Sequence, residues 1–152
     1  MKKNLIALHF EIVMQSTAEN LWNCLWQPEN YQQWTSKFCA GSYYETTAFE
    51  AGSDIRFLTP NGQGMYSVIE TLVPNKSLTF KHKGEISNFE NEVNSDGSQL
   101  WKDARECYEI TENGKLLTLK VTVDTLEMYL AHTKQMFTDA LADLKAMAEK
   151  RT

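Results

Sequence analysis

Very little in this sequence is built to hold a metal, a nucleotide or a membrane. Its three cysteines, Cys24, Cys39 and Cys107, are odd in number, far apart and never spaced C-x-x-C. Neither a disulfide framework nor a thiolate metal site is therefore expected, and reduced thiols in a cytoplasm are the simple reading. The three histidines are as scattered: His9 on the polar side of a strand pattern, His132 on the polar side of a helix pattern, and His82 alone. No metal-ligand spacing results. There is no G-x-S-x-G, no phosphate-binding glycine loop and no dinucleotide fingerprint, so no cofactor is expected. Lys and Arg never cluster, and the formal net charge is -5. That balance argues against nucleic acid or an anionic membrane surface as the partner. No run approaches the roughly 20 apolar residues of a spanning helix. The apolar stretch at 5–13 follows Lys2 and Lys3, but His9 and Glu11 break it and no A-x-A site follows. It does not read as a signal peptide, and membrane insertion is not expected.

What is present is a long helix pattern at the end and strand patterns before it. A chain of 152 residues is expected to form a single domain over its whole length, 1–152, with a core that needs no metal or disulfide. Within residues 124–150, Leu126, Leu130, Thr133, Phe137, Leu141, Leu144 and Ala148 recur at spacings of three, four and seven. Tyr129, Met136, Ala140 and Met147 widen the stripe. That is the period of a core-facing helix. Asp124 is the expected N-cap, with Glu127 completing a capping box. So broad an apolar stripe needs a matching surface, which a curved antiparallel sheet can supply.

The rest of the chain offers such a sheet. Residues 5–13 alternate, with Ile6, Leu8, Phe10 and Ile12 on one face. Ser16 and Glu19 form a capping-box pattern that starts a first short helix. Pro28 opens a second, on which Tyr31 and Trp34 share a face. Strand patterns follow at 43–50, 54–59, 64–73, 77–82, 104–111 and 115–123. Asn113-Gly114 joins the last two as a hairpin. Residues 84–103 are polar, with few apolar anchors. They are expected to form a surface excursion with a short helix near 98–101, either as a plain loop or as a lid.

The order of elements resembles the helix-grip fold of the START-like, or SRPBCC, superfamily. The fold class expected is α+β: six to seven curved antiparallel strands wrapped around a long C-terminal helix, with two short helices after the first strand. Local patterns carry the likeness further. Ser16-x-x-Glu19-x-Leu21-Trp22 and Pro28-Glu29-Asn30-Tyr31-x-x-Trp34-Thr35 are similar to the opening helices. Gly64 through Glu70 to Val73-Pro74, then Leu78-Thr79-Phe80, are similar to the central hairpin. Phe137, Ala140, Leu141 and Leu144-Lys145 are similar to the final helix. Together they resemble the branch named for the activator of the 90-kDa heat-shock protein's ATPase. The resemblance implies an elongated cavity between sheet and helix for a lipid, sterol, polyketide or other hydrophobic metabolite. It specifies a fold better than a job.

Within that frame the candidate ligand-binding residues are Tyr31, Trp34, Phe38, Phe57, His82, Trp101, Glu106, Tyr108, Tyr129 and Met136. Alternation puts Leu78, Phe80 and His82 on one strand face, and Glu106, Tyr108 and Ile110 on another. His82, Glu106 and Tyr108 can then project into one cavity. A His beside a carboxylate can act as general acid and base, or the set can orient a ligand. Alternatively, Glu106 pairs with an arginine or sits at a solvated strand end. The strand's parity stays open, because Cys107 suits the inside equally well. Arg56 is expected to face solvent. Three functions remain. One is a non-catalytic binder or carrier of a small hydrophobic molecule. Another is a cyclase-, dehydratase- or hydrolase-type enzyme using His82 and Glu106. The last is a module that regulates a chaperone ATPase. A homodimer or a chaperone partner is left open.

Overall fold

In the computed structural model the chain is described from residue 4 to residue 150. It begins with β1 (Leu5–Gln15), α1 (Ala18–Trp26) and α2 (Pro28–Trp34), then a 3-10 turn at Thr35–Lys37. Next come β2 (Tyr43–Thr46), β3 (Asp54–Leu58), β4 (Gly64–Val73), β5 (Ser77–Ser87) and the two-residue β6 (Glu90–Asn91). A short α3 (Asp96–Trp101), β7 (Arg105–Asn113) and β8 (Leu116–Leu126) follow. A 3-10 turn at Glu127–Tyr129 then leads into α4 (Leu130–Lys150). The strands form one curved antiparallel sheet in the order β1-β8-β7-β5-β4-β3-β2, with β6 paired to β5 off that path. Two register shifts between β4 and β5 bend it. Seven strands on the main path match the expected sheet, and β6 is the addition. Among the described residues no helix is long and apolar enough to cross a membrane.

The core lies between this sheet and the helices. From α4 it takes Phe137, Ala140, Leu141, Leu144, Met147 and Ala148. From the sheet it takes Ile55, Ile69, Leu78, Phe80, Tyr108, Leu119 and Val121. Phe10 of β1 stacks on Phe137 with ring centroids 5.5 Å apart. Trp26 sits inside a ring of aromatics that includes Phe80 at 5.4 Å and Tyr108 at 4.9 Å.

Three local expectations are corrected. The final helix starts at Leu130 and not at Asp124. Thr122, Val123 and Thr125 are β-branched and carry β8 onward to Leu126, with Val121, Val123 and Thr125 buried in alternation. The Asp124 carboxylate instead accepts the backbone N–H of Arg105 across the sheet at 2.9 Å. The cap of α1 is Thr17, whose hydroxyl accepts the Asn20 N–H at 3.1 Å. Ser16 has another task. Its hydroxyl donates to the Ala148 carbonyl at 3.3 Å, and Asn20 Nδ2 donates to the same carbonyl at 2.8 Å. The last turn of α4, whose carbonyls have no helical partner, is thereby tied to the start of α1.

The third correction concerns residues 84–103. β5 runs on to Ser87, and α3 is seated against it by the buried Ser98. The Ser98 hydroxyl accepts the Glu85 N–H at 2.8 Å and donates to the Glu92 carbonyl. Gly84 makes this approach possible, since a Cβ there would stand 2.5 Å from Ser98 Oγ. Arg56 does not simply face water: it donates to Asn91 Oδ1 at 3.1 Å and to the Phe89 carbonyl, and pairs with Glu45 at 2.6 Å. The segment is pinned to the sheet.

Leu144 is fully buried, so Leu144→Ala should cost about 2–5 kcal/mol. Trp26 Nε1 has no hydrogen-bond partner among the described residues, so Trp26→Phe should forfeit packing but no hydrogen bond. Urea unfolding of both variants should rank Leu144→Ala as the more damaging. A reversed order would mean that α4 is not the element on which the core closes.

Candidate ligand cavity

Helix α2 is the first wall of the cavity. Pro28 occupies its first turn, where a missing N–H costs nothing. Tyr31 and Trp34 then fall one turn apart on one face. Trp34 is fixed from behind, with Nε1 donating to the Leu25 carbonyl at 3.0 Å. The 3-10 turn after it delivers Phe38, whose ring meets Phe137 of α4 at 4.8 Å. From the sheet, Phe57 of β3 packs against Phe80 at 4.8 Å and against Tyr31 at 6.4 Å. These rings line a half-open cavity of about 240 Å³, bordered by Tyr31, Trp34, Phe38, Phe57, Phe137 and Glu106. Thr35, Ser42, Leu58, Thr59, Gln63, Gly64 and Met65 complete its rim. Gly64 is required there, because a Cβ would come within 1.7 Å of the Phe57 carbonyl oxygen.

The polar end of the cavity is built on β7. Glu106 and Tyr108 share one face of that strand, and Cys107 faces the other, where Thr79 Oγ1 lies 3.2 Å from its sulfur. Glu106 is not neutralised by an arginine. Arg105 points away and grips Glu70 at 2.8 and 3.1 Å, and this guanidinium holds the Glu70 carboxyl below its ordinary range. The Tyr108 hydroxyl donates to Glu106 Oε2 at 2.5 Å. His82 Nε2 stands 3.7 Å from Glu106 Oε1, outside hydrogen-bond reach, while its Nδ1 is 2.6 Å from the Ser67 hydroxyl. Burial pushes the Tyr108 phenol well above its usual range, and the charge of Glu106 pushes the same way. Burial and then Glu106 do the same to Tyr31.

Of the ten candidate residues, Tyr31, Trp34, Phe38, Phe57 and Glu106 line the cavity together. Tyr108 joins them through Glu106. His82 is buried nearby but borders a separate depression of about 480 Å³ with Tyr66, Val68 and Lys102. Trp101 and Tyr129 are elsewhere, stacked on each other at 6.3 Å with planes 2° apart. Tyr129 is 45 % exposed because it lies in the 3-10 turn before α4 and not on its inner stripe. Met136 is half-buried and does not line the cavity. Phe137, Met65 and Ser67 were not among the candidates. Phe137 belongs to the helix stripe and carried that signal, whereas Ser67 carried none. A further depression, about 630 Å³, is an open groove between α1, the β4–β5 turn and β7, with no aromatic lining. Among the described residues no group of three or more His, Cys, Asp or Glu is placed to hold a metal ion.

The sequence pattern of the family described as Activator of Hsp90 ATPase homolog 1-like protein matches residues 15–149. The chain belongs to this family. No curated protein matches its sequence. Its fold is similar to the solution structure of the Aha1 dimer from Colwellia psychrerythraea. There the TM-score is 0.67 at 16 % identity, covering 95 % of this chain and 96 % of that one. It is also similar to protein MLL2253 from Mesorhizobium loti, with a TM-score of 0.73 at 12 % identity, covering 97 % and 99 %. DynU16, a putative protein in the dynemicin biosynthetic locus, has a TM-score of 0.64 at 14 % identity, covering 95 % of this chain and 47 % of that one. At these identities the likeness is one of fold, the helix-grip arrangement.

Tyr108→Phe removes the donor to Glu106 and leaves a carboxylate short of a partner. Urea unfolding should show a loss of about 1–3 kcal/mol. The stability gained by keeping Tyr31 and Tyr108 neutral is complete below the ordinary phenol pKa of about 10. It is lost as pH rises through their higher folded-state values. Urea midpoints should therefore fall as pH rises past about 10, and fall less steeply in Tyr108→Phe.

Proposed function

We propose that this protein binds a small, largely apolar molecule in the cavity between the sheet and α4, without catalysis of its own. The observation that carries the reading is the cavity's make-up: five aromatic rings around about 240 Å³, with one carboxylate at the polar end. An apolar cavity of roughly 150 Å³ accepts benzene, and drug-sized ligands occupy roughly 300 Å³ or more. A guest of one ring with a short substituent fits between these limits. Burying about 200 Å² of such a guest at about 25 cal/mol per Å² yields about 5 kcal/mol. Dissociation constants of about 0.2 mM are then expected. Larger lipids and sterols are not favoured by this volume.

An acid–base role for His82 and Glu106 has weaker support. The two are not hydrogen-bonded, and His82 does not line the cavity. The family's name and the Colwellia structure, described as a dimer, are the support for a chaperone partner or a homodimer. The three cysteines, odd in number and never spaced C-x-x-C, support a cytoplasmic setting for the same proposal.

Titration with neutral one-ring compounds, followed by NMR, should shift resonances of Phe38, Phe57 and Phe137. Met65 is half-buried on the rim, so Met65→Trp should fill the space and abolish those shifts. The cost in stability should be only the roughly 1–3 kcal/mol of overpacking. Unchanged binding in Met65→Trp would place the guest somewhere else.

A further inference from the structure

We propose that the guest of this cavity is a cation: a primary ammonium carried on a single aromatic ring, received by Glu106. The inference rests on the binding role proposed above and names its ligand class. Glu106 is the one ionisable acid or base among the lining side chains, apart from the phenol of Tyr31. No lysine or arginine lines the cavity. The other rim hydroxyls are engaged locally: Thr35 Oγ1 donates to the Tyr31 carbonyl at 2.5 Å, and Ser42 Oγ donates to the Cys39 carbonyl at 2.6 Å. Thr59 Oγ1 accepts the Gln63 N–H at 3.3 Å.

The carboxylate itself is half-used. Oε2 takes the Tyr108 hydroxyl at 2.5 Å, while Oε1 stands 3.7 Å from His82 Nε2, too far to accept from it. A carboxylate has about four acceptor sites, and the Glu106 side chain keeps 22 % of its surface open. An ammonium N–H aimed at Oε1 would make a charge-assisted bond, about twice as strong as a neutral one. The walls offer a surface for the same charge. Trp34 meets Phe38 at 72° and Tyr31 meets Trp34 at 76°. Rings set edge-to-face in this way offer both kinds of surface, and a ring face attracts a cation. Burial first, and the charge of Glu106 after it, raises the phenols of Tyr31 and Tyr108, so both stay neutral beside the carboxylate. A carboxylate or phosphate guest would meet Glu106 with no counter-charge on the walls, so anionic guests are disfavoured by the same geometry.

The test is an NMR titration of the full chain at neutral pH and constant salt with three probes of one size: 2-phenylethylammonium, 2-phenylethanol and phenylacetate. The ammonium should bind about tenfold more tightly than the alcohol, and phenylacetate should bind more weakly than either. In Glu106→Gln the ammonium should lose its advantage over the alcohol. Equal binding of ammonium and alcohol to the wild type, or a preference for phenylacetate, overturns the inference and leaves the neutral-ligand reading standing. Retention of the preference in Glu106→Gln also overturns it. If none of the three probes shifts the cavity resonances, the binding role falls with it. The wild-type ranking needs no variant, so a folding defect in Glu106→Gln does not blunt the test.

Discussion

The structure depends on how α4 is held against the sheet. A helix of 21 residues with one apolar face must bury that face, and nearly all of its stability comes from doing so. Both ends are fixed by polar contacts as well. Ser16 and Asn20 hold the Ala148 carbonyl at one end, and the Thr125 and Thr133 hydroxyls meet at 2.9 Å at the other. Between these ends the seat is close: Ala140, Leu144 and Ala148 have no exposed surface. Toward the first turns the helix carries Phe137, whose stiff ring meets Phe10 and Phe38. Rigid rings packed edge-to-face do not collapse onto one another as aliphatic chains do. The gap among Phe137, Phe38, Trp34 and Phe57 is what such packing leaves.

That gap would be an ordinary apolar void without Glu106. A carboxylate facing an interior costs free energy unless its oxygens find donors. Here Tyr108 supplies one donor and is kept protonated by its own burial. The neighbouring Arg105, which could have neutralised Glu106, is on the opposite strand face with Glu70. The alternation of β7 thus sorts two acid–base pairs. One is exposed and mutually satisfied, and the other is interior and incomplete. An incomplete interior carboxylate beside aromatic rings is a cost that stability alone does not explain, and it is the feature that gives the cavity a chemical preference.

Much of this was readable in the residues, for physical reasons that differ by element. β4 follows from the breaker residues around it, with Gly62 before it and Pro74 after it, and its bounds agree with the expected 64–73. The parity of β7 was open because Cys107 and Tyr108 can both be buried; the phenol wins because its hydroxyl has a carboxylate to reach. The start of α4 was misread because Asp124 and Glu127 imitate a capping box within a β-branched run. Tyr129 is misplaced for the same reason, since a residue one turn before a helix does not inherit the helix's face; Trp101, expected at a cavity mouth, ends α3 and stacks on Tyr129 instead. Ser67 was invisible. Counting back across the β4–β5 turn from the pair Val73–Ser77 sets Val68 opposite His82, but a register shift between Ile69 and Thr71 puts Ser67 there instead. Irregularities of this kind leave no trace in hydrophobic pattern.

The family to which the chain belongs settles the frame and leaves the lining free. Solved structures of similar fold share only 12 to 16 % identity with it, so most positions can differ while a helix and a sheet of this kind still meet. Function in such a frame is decided by side chains that the fold does not require. Leu144, Ala140 and Leu119 are required, because a polar group at any of them would be buried without a partner. Glu106 is less constrained by packing: an apolar residue there would still pair with Phe80 in the same register, though it would leave the buried Tyr108 hydroxyl without its acceptor. The residues that pack best therefore say least about the ligand. A carboxylate with a spare oxygen in an aromatic-lined cavity says most.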